Sequence, residues 1–244
     1  MSETDSIPDL TGKIALVTGA SRGIGYQIAK QMAAEGAHVI ALARTVGGLE
    51  ELDDEIKSAG GSATLVPLDL TDMGGIDRLG GAIKERWGKL DVMVANAGLL
   101  GVLAPIGHIE AKTFDKTVTV NVTSTWRLIR SVDPLLRASG AGRAIVMSSG
   151  AAHSAKAYWS LYAATKAACE AMVQRFGVSR EAADAFAARS HHLAAEAWAA
   201  DRYAQDVLAM ATPADVTVDR DNAIRAETSA EKLATLKPAL DTQQ

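Results

Sequence analysis

One cysteine, Cys169, stands in 244 residues, so no internal disulfide can form and a disulfide-stapled fold is excluded. No Cys and His set has zinc-ligand spacing. His191 and His192 are adjacent, which on a helix turns them roughly 100° apart and makes them a poor ligand pair, so no metal site is expected. An excess of positive charge is also lacking. Lys and Arg number 25 against 29 Asp and Glu, and the net charge of -4 gives no footprint for nucleic acid or an anionic membrane. No run approaches the ~18 apolar residues of a membrane span. The opening residues, MSETDSIPDL, carry neither a basic stretch nor an apolar one, and the expectation is a cytoplasmic protein. What remains is ordinary for a globular chain: 48% hydrophobic and 22% charged, enough for one large α/β domain or two small ones.

Short apolar runs alternate with helical patterns. Ile14 to Val17, bounded by Gly12 and Gly19, reads as a strand buried on both faces, and a helix follows from Ile24 to about Glu35, stopped by Gly36. Further strands are expected at His38 to Ala43, Ala63 to Leu68, Leu90 to Asn96 and Arg143 to Ser149. Between them lie helices reaching Ser58, running from Asp72 to Arg86, and forming one long segment through Arg137. This alternation predicts a doubly wound α/β fold, a parallel sheet between two layers of helices, whose ligands bind outside the carboxyl ends of the strands. From Ser179 to Ala211 the chain is Ala-rich. Phe186, Leu193, Ala197, Ala200, Ala204, Val207 and Leu208 fall near one stripe, predicting one or two long helices ended by Pro213. A weaker helical pattern spans Asn222 to Leu236, with no strand in view. The organisation expected is a main domain over residues 1–177 and a mainly helical segment over 178–244.

Between the first strand and first helix stands TGASRGIG, Thr18 to Gly25. Glycines at 19, 23 and 25 permit a tight turn and close approach of an anion to the helix N-terminus, where free amides and the dipole favour it. The spacing differs from the Gly-x-Gly-x-x-Gly fingerprint, and no Lys-Ser/Thr follows as in a phosphate loop. Farther on, YWSLYAATKAAC places Tyr162 and Lys166 four apart on one helix face. Tyr158 has no such partner. A packed aromatic beside a solvated lysine is the plain alternative.

TGASRGIG, NAG at Asn96 to Gly98, VNV around Asn121, Ser149 and YAATK at Tyr162 to Lys166 occur in an order and spacing that resembles the short-chain dehydrogenase/reductase family over residues 10 to 177. The resemblance implies a Rossmann-type fold and NAD(P)-dependent interconversion of a carbonyl and an alcohol. It implies that Tyr162 is the acid/base, that Lys166 activates it and contacts the nicotinamide ribose, that Ser149 bonds the substrate oxygen, and that Asn121 anchors a proton relay. Ser148 is disfavoured because it faces the other side of the strand. The chemistry agrees: a free phenol titrates near 10, and a neighbouring cation favours its phenolate. By the same likeness Gly19, Ser21, Arg22, Gly23, Ile24 and Gly25 hold the pyrophosphate, Asp69 and Leu70 border the adenine, and Asn96, Ala97 and Gly98 line its ribose. An acid at the end of the second strand would bind the ribose hydroxyls of NAD. This chain has Ala43 there, then Arg44, which together with Arg22 suits a 2′-phosphate, so NADP(H) is expected over NAD(H).

The loops at Leu99 to Gly107 and Gly150 to Tyr158 offer Leu99, Leu100, Val102, Leu103, His153 and Trp159, pointing to a small-molecule substrate with an apolar body. His153 reads as an exposed loop histidine. After about residue 177 the family's sixth strand, its Pro-Gly turn and its nicotinamide-contacting threonine are missing, since the prolines beyond Pro134 are Pro213 and Pro238. Two readings follow. One is an oxidoreductase, expected to form a homo-oligomer; the other is a non-catalytic relative whose altered helices make it an interaction scaffold.

Overall fold

The computed structural model describes residues 9–154, 156–173, 180–203, 207, 209–211, 217–220 and 223–236. The strands expected from the sequence form one parallel sheet of β1 (Ile14–Thr18), β2 (His38–Ala43), β3 (Ser62–Pro67), β4 (Val92–Ala95) and β5 (Arg143–Val146), ordered β3-β2-β1-β4-β5. Side chains alternate across it. Leu16, Ile40 and Leu42 point to one face and meet Ile76, Leu79, Ile83, Leu128 and Val132 from α3 (Met73–Trp87) and α5 (Ser124–Ala138). Val17, Val39 and Ala41 point to the other and meet Ala29, Ala33, Leu49, Leu52 and Ile56 from α1 (Gly23–Ala34) and α2 (Val46–Ser58). Both faces are therefore dry, which is why these strands read as unbroken apolar runs. The doubly wound three-layer fold expected from the sequence is the fold observed.

Strand order reverses between β1 and β4, so the loops leaving their carboxyl ends diverge and open a crevice. At the opposite edge Asp91 ties the same two strands. Its carboxylate accepts the Ile14 amide at 2.9 Å and the Ser139 hydroxyl at 2.6 Å, with Lys89 Nζ at 2.9 Å. Burial pushes this carboxyl up, but the bonds from Ser139, Lys89 and Ile14 outweigh it and hold it at about 2.

Three expected elements differ, the first being β4, which covers Val92–Ala95 of the expected Leu90 to Asn96. The long helix ending near Arg137 is composite: a short turn at Ile106–His108, α4 (Ala111–Val118), a π turn at Thr119–Thr123, and α5. Strand β5 stops at Val146 instead of Ser149. Met147 still donates to Ala95 O at 3.0 Å, but the chain then leaves the sheet, because Ser149 accepts the Ala151 amide at 3.2 Å and starts a 3-10 turn at Gly150–His153.

The chain divides into compact units at residues 1–175 and 176–244. In the second, α7 (Arg180–Ala199) matches the expected long helix but ends before Asp201, whose φ of 57° breaks it. Its stripe is not a buried face, since Phe186 is 72% and Leu193 51% exposed. A two-residue antiparallel ladder, β6 (Met210–Ala211) with β7 (Thr217–Val218), was not expected, and such a pair is too short to leave a period-2 pattern. The last helix, α8 (Ala230–Ala234), starts later than predicted because Ser229 caps it, its hydroxyl accepting the Lys232 amide at 3.2 Å. His191 and His192 are occupied locally, by the Arg225 amide at 3.2 Å and the Thr228 carbonyl at 2.7 Å. Gly177, Ser179, Ala204, Leu208, Pro213 and Asn222 lie outside the described residues.

Candidate active site

The crevice is built from Thr18 outward. This residue ends β1, is buried, and receives two amides on its hydroxyl, from Asn96 and Ala97, each at 3.0 Å. Asn96 returns a bond from Nδ2 to Thr18 O at 3.0 Å. The turn after β1 and the loop after β4 are thereby fixed against each other. Gly19 has φ 69°, and a methyl there would lie 2.9 Å from Asn96 Nδ2 and 3.0 Å from Ala97 Cα, so a side chain is barred on two grounds. Gly25 is barred by the Gly19 carbonyl. Arg22 precedes α1 in extended conformation and gives the helix no side-chain cap. The first-turn amides of α1 are thus left for an anion.

A cavity of about 570 Å³ opens over this turn. It is lined by Gly19, Ser21, Arg22, Arg44, Asp69, Leu70, Asn96, Ala97 and Gly98 from the expected cofactor set, and by Leu42, Ala43, Thr45, Leu68, Leu99 and Val120. Gly23, Ile24 and Gly25 begin α1 and are not among the lining residues; Ile24 is exposed and Gly25 buried. Arg44 Nη1 faces Asp69 Oδ2, whose other oxygen accepts the Thr71 amide at 2.8 Å and hydroxyl at 2.9 Å. Burial raises the Asp69 carboxyl, but those bonds and the charges of Arg44 and Lys116 leave it below its ordinary value.

Beside the cavity runs α6 (Ser160–Val173), which carries Tyr162 and Lys166. The Lys166 ammonium stands 5.7 Å from the Tyr162 ring centroid and donates to Met147 O at 2.6 Å. Lys166 is 5% exposed, and burial depresses its pKa while Cys169 opposes the shift. Tyr162 is half-buried and meets Trp159 edge-on, the centroids 6.1 Å apart. Asn121 lies in the π turn with every polar atom engaged. Its Oδ1 accepts the Leu99 amide at 2.7 Å, its Nδ2 donates to Leu99 O at 2.8 Å and to Thr165 Oγ1 at 2.9 Å, and its own carbonyl takes Thr125 Oγ1 at 2.8 Å and Cys169 Sγ at 3.2 Å. The Gly98 Cα faces this pair: a methyl on it would sit 3.5 Å from Asn121 Oδ1 and 3.6 Å from Lys166 Nζ. Asn121, Gly98 and Lys166 are brought together. Ser149 sits at the head of the 3-10 turn, with its oxygen accepting the Ala151 amide. The apolar loop residues Leu100, Val102 and Leu103 are exposed.

Sequence reasoning assigned no role to Thr18, Thr165, Cys169 or Glu170. Thr18 and Thr165 sit inside the quoted motifs, but threonine is common in strands and helices alike, so only the folded contacts reveal them. His153 is exposed, as the sequence suggests, and its Nε2 is 2.6 Å from Glu170 Oε2.

The reversal-point crevice, the glycine turn at the head of α1 and the helix bearing Tyr162 and Lys166 define a Rossmann-type α/β protein. The family model described as short chain dehydrogenase matches residues 13–184, and the chain belongs to that family. It is similar to a sorbitol dehydrogenase of Cereibacter sphaeroides, 37% identical over 70% of this chain and 65% of that one. It is also similar to a fatty acyl-CoA reductase of Acinetobacter baylyi, 38% identical over 67% of this chain and 56% of that one. The chain therefore spans less than two thirds of the length of these relatives. Among solved structures, a metagenomic short-chain oxidoreductase in complex with NADP has TM-score 0.66 and 32% identity, covering 69% of this chain and 75% of that one. The short chain dehydrogenase from Shigella flexneri has TM-score 0.65 and 34% identity, covering 68% of this chain and 66% of the other.

Proposed function

We propose that this chain is an NADP(H)-preferring oxidoreductase that interconverts a carbonyl and an alcohol. The observation that carries the reading is the meeting of Gly98, Asn121 and Lys166, with Tyr162 on the same helix, at the end of a crevice that begins in an uncapped helix N-terminus. The crevice suits a dinucleotide. The bare backbone at Gly19, the α1 amides and Arg22 would suit a pyrophosphate, and Arg44 on the cavity wall supports the reading that a 2′-phosphate is bound. When bound, the nicotinamide supplies or accepts the hydride.

The chain's own residues handle the proton. In reduction the Tyr162 phenol protonates the carbonyl oxygen; in oxidation it removes the hydroxyl proton. Lys166 sets a positive charge beside the phenol, in surroundings dry enough that the charge is weakly screened. The Ser149 hydroxyl donates its proton to the substrate oxygen while its own oxygen accepts the Ala151 amide. Asn121 anchors the region by holding both backbone groups of Leu99. The exposed Leu100, Val102 and Leu103 favour a substrate with an apolar body. Self-association is part of the proposal, supported by the exposed Phe186 and Leu193 on α7, and light scattering tests it.

Titration with NADPH and NADH, followed by tryptophan fluorescence and thermal shift, tests the cofactor. Saturable NADPH binding tighter than NADH, with NADPH oxidation on adding octanal, supports the reading. Binding of neither cofactor would replace it with the scaffold alternative.

A further inference from the structure

Helix α6 grips the segment after β5 at three points. Lys166 Nζ holds Met147 O, as described. One turn farther along, Glu170 accepts the Ser148 hydroxyl on Oε1, and its Oε2 faces His153 Nε2 at 2.6 Å. A carboxylate only accepts, so His153 presents its Nε2 proton to it. Ser148 and His153 bracket Ser149 on both sides in sequence. A single side chain on the tyrosine helix thus pins both ends of the turn that carries the proposed substrate-binding hydroxyl.

We propose that Glu170 is a positioning residue: it fixes Ser149 relative to Tyr162 by clamping Ser148 and His153 onto α6. This rests on the oxidoreductase reading above. Three observations support it. The Glu170 side chain is 16% exposed, so its carboxylate is largely withdrawn from water although His153 is 36% exposed. Ser148, the serine not assigned to substrate, is spent on this contact, which gives the adjacent serines different tasks. The third grip, Lys166 on Met147, uses the same ammonium that the mechanism assigns to Tyr162 and the cofactor. Glu170 holds the turn without calling on that ammonium. Neither Ser149 nor Tyr162 touches Glu170 in any bond of the described residues, so its effect on chemistry runs through geometry alone.

Two readouts test it. Hydrogen exchange on the cofactor-free protein reads the clamp directly: Glu170→Ala is expected to speed exchange across residues 149–154 about tenfold while β1 and β4 keep wild-type protection. Turnover of octanal with NADPH reads its consequence. Glu170→Ala is expected to lower kcat about tenfold, as sub-ångström misplacement of a reacting partner does, with the Kd for NADPH unchanged. Glu170→Gln is expected to restore most of both, since its amide oxygen accepts from Ser148 and its NH2 donates to a neutral His153. Unchanged exchange over 149–154 would overturn the clamp. A general loss of protection and of Tm with kcat retained would overturn the positioning role, leaving ordinary structural support. Should Glu170→Ala fail to fold, Ser148→Ala removes one arm only and gives the same two readings at smaller size. A wild-type chain without turnover would remove the oxidoreductase reading, while the exchange experiment still decides the clamp.

Discussion

Arg44 Nη1 stands 3.9 Å from Asp69 Oδ2, joining the loop that leaves β2 to the one that leaves β3. Both side chains are about half exposed, with 55% and 45% of their surface accessible, so the pair is weak and gives way easily. An arginine held this loosely over the crevice is available to a phosphate. Arg44→Ala is expected to weaken NADPH binding about tenfold, equivalent to about 1.4 kcal/mol, and to leave NADH within about twofold. Equal losses for both cofactors would mean that Arg44 reads something other than the 2′-phosphate.

Tyr162→Phe removes a single oxygen from a half-buried ring. The expected result is a loss of kcat of about a thousandfold or more with the NADPH affinity nearly unchanged, since the ring still packs on Trp159. Stopped-flow and fluorescence titration separate the two quantities. A variant retaining full turnover would remove Tyr162 from the mechanism.

Asn121→Ala cuts the two bonds to Leu99 and the one to Thr165, leaving polar groups in a site where Asn121 itself is 2% exposed. A loss of about 2–4 kcal/mol in unfolding free energy is expected, read from urea denaturation. A shift below about 0.5 kcal/mol would show that Leu99 finds other partners. The Leu99 loop lines the crevice, so cofactor affinity should fall with stability.

Asp91 predicts the acid limb of stability. Its folded carboxyl, at about 2, lies below the ordinary 3.8, so the unfolded chain binds the extra proton. The contribution is complete above pH 3.8 and is lost as pH falls toward 2, amounting to about 2 kcal/mol as an order of magnitude. Asp91→Asn should flatten the stability curve across that window. An unaltered slope would place the acid sensitivity elsewhere.

The fold was legible because β1 and β2 are dry on both faces and so write themselves as apolar runs between glycines. Chemistry was legible where backbone geometry demands a residue type: Gly19 at its positive φ, and Tyr162 one turn from Lys166. What escaped notice are contacts between segments far apart in sequence. Nothing in the local pattern around Thr18 distinguishes it from any other strand threonine, although its hydroxyl, donating to Val94 O at 3.4 Å and accepting two amides, makes valine a poor replacement despite its matching shape. Glu170 was hidden similarly: four residues past Lys166 it looks like a helix-surface acid, and only the turn folding back from β5 gives it partners. The second unit was the least legible, since α7 presents Phe186 outward and β6 and β7 are too short for a period to show.

The π turn between α4 and α5 makes chain length itself a constraint. Each helical residue advances about 100° around the axis, so deleting one residue from Thr119–Thr123 would regularise the helix yet rotate everything beyond it by that amount. Leu128 and Val132 would swing off the sheet, and Arg127 would part from Asp77, which it now meets at 2.6 Å. Outside Asn121, this stretch should therefore accept substitutions more readily than a single insertion or deletion, whatever residue is gained or lost.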